Sequence, residues 1–148
     1  MLAKRHILLP WLFSACLMFG LSYVWHGLAL RDLQELNVPL TLYFLLAFLV
    51  YLVLGLIITL AVHKAIQYEW ISLKRAFPFM GVLTGAAAGF FVYLVIFTLG
   101  MTFTKHGMMH VVVDILWQMV EQGLGGLAVS LGIIYDLHRQ FMEQERVS

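Results

Sequence analysis

The residues able to do chemistry cluster in one stretch. His106, His110, Asp114, Gln118 and Glu121 follow one another at intervals of four, four, four and three. At about 100° per residue these positions share one face of a helix. Two imidazoles four apart on such a face form a chelating pair, and a carboxylate one turn further on extends the donor set. The first part of the chain supplies a companion, His26, in Trp25-His26-Gly27. His26, His106, His110 and Asp114 thus form a candidate shell for a transition metal such as zinc, copper or iron. Haem held by His26 and His110 is a variant of the same idea. Met101, Met108 and Met109 lie close in sequence and would suit Cu(I), although methionine is also ordinary apolar filler.

The same series reads equally as a path for protons or ions. Titratable groups inside membranes mark such paths, and here Gln118, Glu121 and Tyr23 would stand behind the outer histidines. Trp117, Gly125, Ala128, Gly132 and Tyr135 continue the face, so its ionisable part stops about halfway along. A third reading is structural, a polar stripe that binds helices together or docks the chain onto a larger membrane complex as an accessory subunit.

Other chemistries lack their residues. Ser130 falls on the opposite face from the acids, and no Gly-x-Ser-x-Gly occurs. There is no phosphate loop and no basic patch interleaved with aromatics, so nucleic acid is not an expected partner. Glu-x-x-His repeats on several helices, as a ferritin-type di-iron centre needs, are missing. The single cysteine, Cys16, excludes an intrachain disulfide framework and a cysteine-rich metal site.

The elements that must position these residues follow from composition. Of 148 residues, 62% are apolar and 11% charged, against about 45–50% and about 25% in ordinary globular chains. Four stretches, 7–30, 39–62, 77–103 and 108–135, are nearly free of charge. Each exceeds the ~20 residues that cross ~30 Å of hydrocarbon at 1.5 Å per residue. Backbone groups in lipid must be satisfied internally, so these stretches are helices. The expected fold is an all-α integral membrane protein, a four-helix transmembrane bundle running up-down-up-down. It forms one domain over 1–148, with a cytoplasmic tail at 136–148 in which the fourth helix continues into water and frays. Pro39 and Pro78 mark helix starts, with Asn37 a nearby cap. Gly107 leaves only a short turn before the fourth helix, which makes the third and fourth antiparallel neighbours. Trp11, Trp25 and Trp70 fall near predicted ends, where indoles favour the interface.

Orientation follows from the cations. Lys4, Arg5, Lys64, Lys74, Arg75, Arg139 and Arg146 fall on one side, Arg31 and Lys105 on the other. The positive-inside rule puts both termini in the cytoplasm. In a bacterium this is a multi-pass protein of the inner (plasma) membrane, with 31–38 and 104–107 facing the periplasm. Lys4-Arg5 and Phe13-Ser14-Ala15-Cys16 imitate a signal peptide, but the apolar run continues past Cys16, as a retained helix would. The expected partners are the lipid bilayer and a second copy of the chain or a larger membrane complex.

Packing follows from small residues. Gly81, Gly85 and Gly89 recur every fourth position, and Gly125, Ala128 and Gly132 share a face of the fourth helix. Either set serves backbone-to-backbone contact within the bundle or at a dimer seam. Tyr51, Gly55 and Thr59 form a weakly polar face on the second helix, suited to interhelical hydrogen bonds. Counting from Met108, Glu121 lies about 20 Å along its helix, deep in hydrocarbon. Such a carboxyl is expected to bond as a proton donor to Tyr23, Tyr51 or a backbone carbonyl. Asp114 is shallower, within reach of Arg31 or Lys105.

Overall fold

The computed structural model describes residues 2–29, 31, 39–73, 77–100 and 108–147, the side chains at 2–6, 97, 99, 100, 108, 110 and 147 excepted. The described residues form helices and no strands. Helix α1 is Leu2–Tyr23 and passes directly into a π-helical turn, Val24–Ala29; α2 is Leu40–Gln67, α3 Phe77–Gly100 and α4 Met108–Val147. Three segments are long and apolar enough to cross a membrane: Ile7–Ala29, Leu40–Gln67 and Phe77–Ile96. Helix α4, with 40 residues, is longer than any of them, but its polar stripe and charged tail dilute its hydropathy. The short turn expected at Gly107, the cap at Asn37, and Lys74, Arg75 and Lys105 lie outside the described residues.

Two helix ends differ from the limits of the apolar stretches. Pro39 is the residue before α2, and its carbonyl accepts the Tyr43 N–H at 3.1 Å. At its other end α2 runs past Val62 to Gln67, because hydropathy ends a span but does not end a helix. The stop there is a Schellman motif. The Trp70 N–H reaches back to the Ala65 carbonyl (2.9 Å) and the Glu69 N–H to that of Ile66 (3.0 Å). Glu69 takes the left-handed conformation this motif needs, at φ 59°. Helix α4 does not fray after Tyr135. It continues to Val147, tied by an Arg139–Glu143 ion pair at 2.8 Å one turn apart.

The glycines fix the packing. A Cβ on Gly85 would run into the Gln122 carbonyl, and one on Gly126 into the Gly81 carbonyl. At Gly89 it would lie 2.7 Å from the Gln118 carbonyl oxygen. So α3 and α4 run antiparallel with backbones in contact, as lipid-embedded helices pack through small residues. The stripe Gly81, Gly85 and Gly89 is therefore an internal seam. The other flank of α4 meets α1. A Cβ on Gly125 would lie 2.6 Å from the Met18 sulfur, and one on Gly132 would lie 2.9 Å from Pro10 Cα. Pro10, inside α1, presents a flat, buried ring to Gly132.

Helix α1 also lies along α2. Phe19 meets Phe44, Phe48 and Tyr51 edge-on. Trp11 gives its indole N–H to the Leu52 carbonyl of α2 at 2.6 Å. Helix α4 thus sits between α1 and α3, with α2 against α1. The buried core gathers Met18, Ile58, Val62, Phe77 and Val129.

Candidate functional site

Glu121 is completely buried, as is its neighbour Gln122. They belong to different surfaces of α4. Trp117, one turn before Glu121, donates its indole N–H to Glu121 Oε2 at 3.1 Å, and its ring stacks on Trp25 of the π-helical turn that follows α1 (4.2 Å, 11°). This pair faces α1. Gln122 instead donates from Nε2 to Gln118 Oε1 at 3.1 Å, and the main chain of both glutamines lies against Gly85 and Gly89 of α3. The stripe that periodicity placed on one face therefore divides, because α4 is clasped on two flanks.

Three helices close around the Glu121 carboxyl. The Tyr51 hydroxyl of α2 interacts with both Glu121 and Ser22 of α1. His26 is near enough to Glu121 to interact with it electrostatically. Of the hydrogen-bonding partners weighed from sequence, Tyr51 is the one at the carboxyl. Tyr23 is half exposed, packed on Phe44 at 5.8 Å. Even so, among the described residues Glu121 Oε1 has no hydrogen-bond partner, and neither do the buried Ser14 Oγ and Gln122 Oε1. Buried polar atoms are nearly always paired, so three unpaired oxygens around one stretch of α4 mark it as unusual.

His26 sits within the π-helical turn. Such turns widen a helix and recur at functional sites. Together with Tyr23, Ser22 and Tyr43 it lines a cleft between α1 and α2 with room for about one water, about 10 Å³. The other side of Glu121 is closed, since Gly125 is filled by Met18 and Ser14, and Gly132 by Pro10.

The outer residues are less gathered. Asp114 is exposed and near enough to Tyr93 of α3 to act on it electrostatically. His106 and the His110 side chain lie outside the described residues. Among the described residues, no three His, Cys, Asp or Glu side chains are placed to hold a metal ion. The Thr59 hydroxyl turns back to its own helix, donating to the Gly55 carbonyl at 2.7 Å rather than across to a neighbour. His63 is likewise bonded within α2, through Nδ1 to the Thr59 carbonyl at 2.8 Å.

Sequence reasoning missed Gln122 and Gly126. Gly126 was readable, since Gly-Gly at 125–126 puts a small residue on each flank. Gln122 had no signal under the assumption of one buried face. No family model matches the chain, and neither curated proteins nor solved structures show a match to it.

Proposed function

We propose that the chain is one transmembrane domain that crosses the bilayer four times, with both termini cytoplasmic, and that Glu121 is a proton-binding station inside it. The enclosed Glu121 carboxyl, with Oε1 unpaired, carries this reading. A carboxyl in that setting, with Tyr51 and His26 as its polar neighbours, is suited to taking and releasing a proton. His26 lines the cleft and interacts electrostatically with Glu121, which makes it the proposed group through which a proton enters. The close packing of Gly125 and Gly132 on the far side favours binding over conduction. The cation bias supports a cleft on the extracytoplasmic side, the periplasmic side if the host is a bacterium. Use of this station by a larger membrane assembly, or a metal or haem at His26, His106, His110 and Asp114, would add to this role rather than replace it.

The test is infrared difference spectroscopy of the detergent-purified protein through a pH step. A carboxyl C=O signal should change in the wild type and be absent in Glu121→Gln. The same signal in both proteins would end the proposal. Metal analysis and an optical spectrum of the same sample decide whether a transition metal or haem is bound.

A further inference from the structure

Helices α2 and α3 diverge along one flank and leave an open groove of about 580 Å³ between them. Its walls are short side chains, Ala61 and Ala65 from α2 and Thr84 and Ala87 from α3, with Leu83 alongside. The Thr84 hydroxyl is already bonded to the Met80 carbonyl of its own helix at 2.9 Å, so the wall is effectively apolar. Ala87 lies about 15 Å along α3 from Phe77, so the groove runs from the end of the span toward the bilayer interior.

The mouth has a different character. Lys64, Tyr68 and Trp70 stand there, and Trp70 is 79% exposed. The Schellman turn at the end of α2 fixes that exposure, and the Tyr68 and Trp70 rings lie 5.7 Å apart. The Lys64 ammonium is 5.8 Å from the Tyr68 ring centroid and 3.3 Å from Gln67 Oε1, with no carboxylate in those contacts. Paired aromatics and a cation above a narrow apolar slot match the order of a phospholipid, with its headgroup at the interface and its chain below.

We propose that this groove binds one anionic phospholipid, its acyl chain along the alanines and its phosphate against Lys64. A partner helix fits less well. Small residues recurring every fourth position favour helix association, but Leu83 stands in this wall, and the Gly81, Gly85 and Gly89 stripe is already spent on α4. The cation at the mouth calls for an anion. This inference does not depend on the chemistry of Glu121.

Native mass spectrometry of the full chain in detergent tests it, with phosphatidylglycerol and phosphatidylcholine of matched chains. The wild type should retain the anionic lipid more strongly. Lys64→Gln should weaken phosphatidylglycerol binding about fivefold, the weight of one cation at an anionic surface, and leave phosphatidylcholine unchanged. Ala87→Phe, at an exposed position that fills the slot, should remove the tightly held lipid of either kind. Equal retention of both lipids by all three proteins would overturn the proposal. So would a stable dimer that Ala87→Phe dissociates, because the groove would then be a helix-docking face. Both variants are read alongside thermal unfolding, and a folded variant with wild-type lipid retention also counts against it.

Discussion

At the residue scale, Glu121 carries two roles that substitution can separate. Its Oε2 satisfies the Trp117 indole, and its carboxyl meets the Tyr51 hydroxyl. Glu121→Ala should leave the Trp117 indole unpaired and Tyr51 with Ser22 alone, and lower stability by about 1–3 kcal/mol. Glu121→Gln keeps an acceptor for Trp117 and should cost under about 1 kcal/mol. Unfolding in mixed detergents measures both. Equal losses would mean that the carboxyl's charge state, rather than its hydrogen bonds, holds the helices. The sequence made Glu121 stand out, since a carboxylate among apolar residues needs an explanation. It did not make the environment legible. Tyr51 lies seventy positions away from it, and only the approach of α1, α2 and α4 brings the two together. The π-helical turn at His26 was also unreadable, because no residue type specifies an i→i+5 backbone pattern.

At the element scale, helix existence was plain from hydropathy, and the antiparallel α3–α4 pairing was expected from the short connection at Gly107. The ends and the division of α4 were not. Periodicity assumes one buried face, and α4 has two because α1 and α3 grip opposite flanks. Glycine substitutions should sort accordingly. Gly85→Ala and Gly126→Ala drive a methyl into a facing carbonyl that no rotamer change can move, costing about 1–3 kcal/mol each. Gly123→Ala meets Val82 and Ala86 no closer than 3.4 Å and Gly20→Ala meets nothing within 4 Å, so both should stay within about 0.5 kcal/mol. A thermal shift series checks the order, and a tolerant Gly85→Ala would remove the backbone seam. The end of α2 offers the opposite sign. Glu69, at φ 59° and exposed, pays a steric cost that glycine avoids. Glu69→Gly should raise stability by about 1 kcal/mol, read as a higher unfolding midpoint.

At the scale of the whole molecule, composition excluded a water-soluble domain. Three helices have the length and apolarity to span a bilayer. The fourth crossing is the part composition could not secure, since its acids and glutamines dilute the signal. Two of these polar groups, Glu121 and Gln122, are hidden by protein on both flanks, whereas Asp114 is exposed. Cysteine labelling tests the crossing. In a Cys16→Ser background, Arg31→Cys and Glu145→Cys should react with impermeant reagents from opposite faces of sealed vesicles. Labelling from the same face would require an odd number of crossings between them to be abandoned, and the orientation of the Glu121 cleft with it.

The glycine seam has a mechanical corollary. Where main chain rests on main chain, no side chain can swing to an alternative rotamer, so α3 and α4 have a single fit and must travel as one piece. Helix α2 is secured mainly along α1 and parts from α3 at the groove. Slow breathing of this bundle therefore belongs to α2, and its amide hydrogens near Lys64 should exchange with deuterium before those flanking Gly85.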